Sequence, residues 1–325
     1  MKGTTNSTMR AVVFDDHLRF DKAYPQPKRQ SRWARICVHL AGVCNTDLEI
    51  IKGYMGFKGV PGHEFIGVVD QCDDPTWIGA RVAGEINAAC GRCRWCADGL
   101  MRHCPNRTVL GILQHHGCFA DYVFLPVENL QRIPDDIPAE RAVFIEPLSA
   151  ACEILEQLDL QGDETAIVLG DGKLGILCAW VLSTVLADVT LKGHHAQKLA
   201  SAQWRHIKTI RNADTMAGQA DIVVEATGSA KGINEALSLC RPRGVIVLKS
   251  TVASVDEINL APLVINEQTL IGSRCGQFKD GLQMMETYPD MPLERLITAR
   301  FPIEQALLGF EQAALPDSLK ILLEF

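Results

Sequence analysis

Between Ala11 and about Phe144 the apolar residues come in short runs, Ala11–Phe14, Ala34–Leu40, Phe65–Val69 and Tyr122–Leu125, divided by Gly, Pro and Asp. Short runs bounded by turn formers predict strands, so this part reads as a β-rich region with long loops. From Glu164 the rhythm changes. Thr165–Leu169 is a continuous apolar run of strand length, after which Leu174, Leu177, Cys178, Val181 and Val185 recur at helical spacing. Strand-like runs follow at Asp188–Lys192, Ile207–Ile210, Asp221–Ala226, Gly244–Leu248 and Thr269–Gly272, with helix-length segments such as Lys231–Cys240 between them. Strands alternating with helices predict a parallel, doubly wound sheet with both faces covered, an α/β fold. After about Arg274 the alternation ends, and the remainder is too short for a domain of its own. The expected organisation is therefore 1–150 as one domain, 151–273 as a second, and 274–325 returning to the first.

A chain of 325 residues exceeds the size at which a single core keeps growing, which agrees with two domains. With 47% hydrophobic and 22% charged residues the composition is that of a globular protein, which argues against disorder and fibrous classes. The 32 Lys and Arg against 39 Asp and Glu give a net charge of −7, the wrong sign for a nucleic acid or an anionic membrane surface as partner. The N-terminal MKGTTNSTMR is polar where a secretory leader is apolar, and the longest apolar stretch, Leu174 to Ala187, carries Ser183 and Thr184 and is too short to span a bilayer. A cytoplasmic location follows as the expectation. In that compartment the 12 cysteines point to metal binding or chemistry before disulfides.

Their spacing supports metal. Cys90, Cys93, Cys96 and Cys104 form CxxCxxCx7C, a density suited to four thiolates closing around one zinc ion from a single loop, although an iron–sulfur cluster uses similar spacing. Four protein ligands leave no open position, so this site braces a loop and takes no part in chemistry. A second candidate site has an opening. Cys44 stands in GVCNTDLEI, His63 and Glu64 follow Pro61–Gly62, and Glu146 lies among Phe144, Ile145 and Leu148, where a buried acid needs a cation. Three such ligands with a free fourth position are the pattern of catalytic zinc.

GDGKLG, between the strand-like run at Thr165–Leu169 and the helical pattern after it, has the glycine spacing and context of a dinucleotide-binding turn. Gly170, Gly172, Leu174 and Gly175 are its candidate cofactor residues. A site for NAD expects an acid at the end of the second strand, to bind the ribose hydroxyls. That end reads Lys192, Gly193, His194, His195, and the nearest acid on the strand, Asp188, lies at its other end, about 13 Å away. Basic neighbours without a carboxylate predict NADP(H) in preference to NAD(H).

The stretches GVCNTD, GHEFIGVV, the Cys90–Cys104 lobe, IEPLSA and VLGDGKLG stand in the order found in the zinc-containing medium-chain dehydrogenases, and the sequence resembles that family of alcohol, sorbitol, threonine and glucose dehydrogenases over nearly its whole length. The resemblance implies a GroES-like catalytic domain beside a Rossmann domain, zinc over a cluster in the cysteine lobe, and two zinc ions per chain. It places Cys44, His63 and Glu146 on the catalytic zinc, with Glu64 as an adjacent or exchanging ligand, and Thr46 on the hydroxyl that passes the substrate proton. It further implies a small-molecule alcohol or carbonyl substrate and a homodimer or homotetramer. There are departures. Glu49, a candidate catalytic residue, stands where many relatives end the proton relay with histidine and is either a proton shuttle itself or an inert surface acid, and HGCFADY, with His116 and Cys118 after His115, replaces a glycine-rich stretch. A sensor or structural protein that binds zinc and NAD(P) without catalysis is the alternative function; a reductase of aldehydes or enals is the alternative within enzymes.

Overall fold

The computed structural model describes residues 7–211, 220–229, 231–251 and 258–325; the polar segment 1–6 lies outside them. The chain divides into two compact units, one built from the chain up to Glu146 together with Ile297–Phe325, the other from Pro147–Leu296.

The first unit is built on an antiparallel sheet whose central strand is Trp33–Val43. Along it Ala34, Ile36, Val38 and Leu40 are buried at every second position, the period that puts one face of a strand on a core. Glu64–Gln71 pairs with one edge, and Lys320–Glu324 with the other, so the last strand of the chain closes the sheet begun by its first third. Ile297–Pro302 lies outside it in parallel register. All four strand-like runs read in this region from the sequence are strands here, each lengthened at one end or both.

The second unit is a six-stranded parallel sheet. Its spatial order is Lys208–Arg211, Asp188–Gly193, Thr165–Leu169, Ala220–Glu225, Cys240–Leu248, Thr269–Gly272. The order reverses direction at the first strand in sequence, and such a switch point is where doubly wound sheets bind ligands, at the carboxyl ends of the strands. Ile167, Leu169, Val223 and Ile246 face Ile233 and Leu237 of the helix Gly232–Leu239 in one core layer. The helix Lys173–Leu182 is buried at every position from Gly175 onward, which explains why its sequence is apolar all round. It ends at Leu182, where the hydroxyls of Ser183 and Thr184 donate to the carbonyls of Trp180 and Val181. Val185, read from the sequence as its last buried position, is 44% exposed.

The boundaries differ from the sequence expectation in one substantial place. Residues 274–296, assigned there to the returning segment, fold with the central unit. Gly276 packs on the backbone of Ser149, the helix Phe278–Thr287 buries Phe278, Gly281 and Met285, and Trp204 donates its indole N–H to Asp290 at 3.0 Å. The chain rejoins the first unit at Ile297. No helix among the described residues is long and apolar enough to cross a membrane.

Candidate active site

Cys44 ends the central strand of the first unit and is the N-cap of the helix Asn45–Ile50. His63 is 3% exposed and immediately precedes the strand Glu64–Gln71. The register Gly42↔Glu64 sets Glu64 beside the end of the Cys44 strand, and a Cβ at residue 42 would lie 2.4 Å from Glu64 Oε2, so glycine there makes room for the carboxylate. Cys44, His63 and Glu64 each present a ligand atom within 4.8 Å of the others.

Asp47 organises this trio. It is fully buried, and its two oxygens accept the N–H of Cys44 at 2.8 Å and of Gly62 at 3.2 Å, fastening the two ligand-bearing segments to one carboxylate. Asp47 Oδ1 also lies 3.4 Å from His63 Nδ1, a charge contact without hydrogen-bond geometry. Burial alone pushes the His63 imidazole down, but the Asp47 carboxylate, and then the Cys44 thiol, hold it well above its ordinary value. The surroundings therefore favour positive charge at this point. Glu64 is also fully buried. One oxygen is paired with the Lys320 ammonium, while Oε1 has no hydrogen-bond partner among the described residues. A buried carboxylate oxygen with no donor asks for a cation, and thiol, imidazole and carboxylate are the donor set zinc takes. The residues fit that ion.

Glu146 lies outside the trio, contrary to its assignment from sequence as the third ligand. It sits in the first turn of the helix Ile145–Gln157, 9% exposed, whereas Glu64 is brought in by strand pairing. Thr46 Oγ1 is 3.7 Å from Cys44 Sγ. Glu49 is occupied otherwise, its carboxylate 2.9 Å from the Lys52 ammonium one turn on. The loop histidines hold structure. His115 Nε2 is 2.8 Å from the Phe124 carbonyl, His116 Nδ1 accepts the Val60 N–H at 3.1 Å, and burial pushes both imidazoles down. The Cys118 thiol donates to the Glu64 carbonyl at 3.5 Å.

The cysteine lobe brings its four sulfurs together. Cys93–Cys96 and Cys104–Cys90 are 3.5 Å apart, Cys93–Cys104 3.7 Å and Cys90–Cys96 4.0 Å. Four thiolates at tetrahedral positions about 2.3 Å from one zinc ion are about 3.8 Å from one another, and a disulfide requires about 2.05 Å. The lobe is shaped for one ion. The Arg92 N–H hydrogen-bonds Cys90 and pulls its thiol down to about 6, which favours the thiolate that binds metal.

In the second unit GDGKLG joins the strand Thr165–Leu169 to the helix Lys173–Leu182. Gly170 has φ +110° and packs on the Ala226 carbonyl; a Cβ on Gly175 would stand 1.9 Å from Gly170 O. Gly172, at the helix N-cap, has nothing within 4 Å of its missing Cβ, so open space adjoins the start of the helix, where a pyrophosphate would need to approach the backbone. Leu174, half-buried, follows in the first turn. Gly175→Ala is expected to cost about 3 kcal/mol in urea unfolding, because backbone must move, while Gly172→Ala changes stability by less than about 1 kcal/mol. Equal losses at both positions would contradict the geometry.

At the end of the second strand Lys192 is 7% exposed and its ammonium is 2.9 Å from Glu235. Its charge is thus met inside the unit. Gly193 is buried and His194 exposed. Sequence reading missed Asp171. The second residue of GDGKLG reads as a filler between glycines, yet its carboxylate reaches across to the second strand, where it accepts the His195 N–H at 2.5 Å and lies 3.2 Å from His195 Nδ1.

Two family profiles match the chain, the alcohol dehydrogenase GroES-like domain over residues 30–135 and the glucose dehydrogenase C-terminus over residues 139–325. An L-threonine 3-dehydrogenase from Chelativorans sp. (strain BNC1) is 30% identical over 330 residues, spanning 93% of this chain and 94% of its own. The starvation-sensing protein RspB of Escherichia coli (strain K12) is 27% identical over 317 residues, spanning 90% of this chain and 91% of its own. In three dimensions the chain is similar to a short chain alcohol dehydrogenase (rspB) from E. coli CFT073 solved in complex with NADH, with TM-score 0.88 and 25% identity over 98% of this chain and 100% of that one.

Proposed function

The chain belongs to the zinc-containing medium-chain alcohol dehydrogenase family and is a nicotinamide-dependent oxidoreductase, and from that premise we propose that it interconverts a small alcohol, polyol or sugar and its carbonyl partner, with NADP(H) favoured over NAD(H), two zinc ions per chain, and Cys44, His63 and Glu64 as the protein ligands of the catalytic ion. The observation that carries the reading is the convergence of those three side chains within 4.8 Å, with Oε1 of Glu64 lacking a hydrogen-bond partner among the described residues.

What zinc supplies when held there is positive charge next to a substrate hydroxyl, which makes its proton easier to lose. The chain's own residues do the rest. Asp47 fixes the Cys44 and Gly62 backbones, so thiol and imidazole keep their spacing as charge develops. The Thr46 hydroxyl, close to Cys44 Sγ, both accepts and donates and is placed to carry the proton away. Glu49, bound to Lys52, is not given the relay role. Lys320 balances the second carboxylate, leaving the trio near neutrality with an ion bound. In the central unit the glycine turn and the helix N-terminus would hold the pyrophosphate of a bound nicotinamide cofactor. A cytoplasmic homodimer or homotetramer is part of the same proposal and rests on the family resemblance.

A panel of polyols, sugars, amino alcohols, simple alcohols and aldehydes, assayed by nicotinamide absorbance with both cofactors and accompanied by metal analysis, is the test. Turnover of at least one class, faster with NADP(H), with about two zinc per chain, is the expected result. Zinc and cofactor binding without turnover of any class would favour the non-catalytic alternative.

A further inference from the structure

A cavity of about 830 Å³ lies within the first unit, between the cysteine lobe and the central sheet, and the catalytic reading makes no use of it. Its walls include Cys90 and Arg92 of the lobe on one side, and on the other Trp33 and Phe124 of two paired strands. Cys44, Thr46, His63 and Glu64 are not among them. Cavities of roughly 300–1,000 Å³ are the size that takes small organic ligands.

Several groups in the wall lack partners. Asn87 is 7% exposed, and while its main-chain carbonyl accepts the Asn129 amide at 3.0 Å, its side-chain Oδ1 meets no donor among the described residues. A buried amide oxygen in that condition calls for a donor from elsewhere. His116 takes the Val60 N–H on Nδ1, and burial keeps the ring neutral, so its proton sits on Nε2, which has no hydrogen-bond acceptor among the described residues. An amide and a neutral N–H donor match hydroxyl groups, which both accept and donate. Trp33, half-buried with the His115 ring 5.1 Å away, adds an aromatic body suited to the C–H face of a sugar ring.

Charge narrows the choice further. Four cationic side chains and two acidic ones line the cavity, in a chain whose net charge is −7. One of the acids, Glu128, is already paired with Arg32, whereas Lys28 and Arg92 are exposed and make no ion pair among the described residues. The positive excess selects an anion, and a guanidinium fork of donors matches phosphate. Backbone strain collects at the same place. Of the six described non-glycine residues with left-handed φ, Arg32 at +64° and Gln114 at +51° both line this cavity, and such strain gathers at ligand sites.

We propose that the cavity binds a phosphorylated sugar, free or as the sugar-phosphate part of a nucleotide, with Asn87 and His116 on its hydroxyls, Trp33 against its ring, and Arg92 and Lys28 on its phosphate. The site is separate from the catalytic trio and does not depend on it. A ligand that touches both lobe and sheet binds only while the lobe is closed, so it also retains the zinc of the lobe.

Isothermal titration calorimetry on the zinc-loaded full chain, with glucose 6-phosphate, AMP, glucose and inorganic phosphate as probes, is the test. Glucose 6-phosphate or AMP is expected to bind with Kd below about 1 mM, and glucose and inorganic phosphate at least about tenfold more weakly. Binding of glucose 6-phosphate without AMP identifies a free sugar phosphate as the source, and the reverse a nucleotide. Asn87→Ala and Arg92→Gln should each weaken the bound probe by about tenfold, while His63→Ala leaves it within about twofold. In His63→Ala, the probe at about ten times its Kd should slow removal of the remaining zinc by a chelator about tenfold. Should Asn87→Ala fail to fold, the exposed Arg92→Gln decides alone. Binding of none of the four overturns the site, as does binding that neither variant alters, which is how AMP held at the glycine turn would behave. Inorganic phosphate bound as tightly as the best probe overturns the sugar assignment, and unchanged zinc removal overturns the seat between lobe and sheet.

Discussion

Replacing His63 by Ala is expected to lower turnover at least about a thousandfold and to reduce bound zinc from about two ions per chain to about one. The imidazole is buried beside the fully buried Asp47, and no other described His, Cys, Asp or Glu joins the trio to take its place. Its removal leaves Cys44 and Glu64, and two ligands hold zinc weakly. It also takes away the imidazole 3.4 Å from the buried Asp47 carboxylate, so some loss of stability accompanies the loss of metal. Cys44→Ser serves as the companion variant, since it should remove the same ion while keeping His63 beside Asp47. Turnover retained with two zinc ions in either variant would show that the trio is not the catalytic centre.

Cys104→Ser should remove the other ion, and its signature is different. Cys104 is fully buried, and its sulfur is 3.5 Å from Cys90 and 3.7 Å from Cys93. The segment Cys90–Cys104 has little regular structure of its own, only the short helix Arg94–Ala97 and the turn Met101–His103. Leu100 and Met101 are about half exposed. Such a lobe has few apolar contacts to order it, so the metal supplies most of its folding energy. The expected outcome is again one zinc per chain, now with Tm lower by about 10 °C and with part of the turnover kept below the new transition. Calorimetry on the two variants, with zinc measured on the same samples, separates the sites. Unchanged Tm and zinc content in Cys104→Ser would contradict the four-thiolate assignment.

What the sequence disclosed about this molecule was mostly local. The cysteine quartet lies within one loop and the glycine turn within six residues, so spacing singled out both, with the strand and helix around the turn adding context and the family resemblance choosing zinc over a cluster. The strands of the first region were legible because burial alternates along them, as at Ala34, Ile36, Val38 and Leu40. What stayed hidden depends on pairing between distant segments. That Glu64 stands beside Cys44 and His63 follows from a strand register that pairs Gly42 with Glu64. The pairing of Lys192 with Glu235 and the reach of Asp171 to His195 likewise join segments that are far apart in sequence. The return point was misplaced for a similar reason. The helix Phe278–Thr287 buries only Phe278, Gly281 and Met285, too sparse a stripe to announce which unit it covers.

The strand Lys320–Glu324 lies between Trp33–Val43 and Ile297–Pro302, and its first residue neutralises Glu64. Lys320 follows Glu64 by 256 positions, an interval of roughly 10–50 s on a ribosome. During that time the central sheet, contiguous in sequence, has all its described strands, while the unit that was begun earlier lacks the partner of Leu40–Val43 and keeps an uncompensated acid inside it. The unit translated first is thus the one completed last.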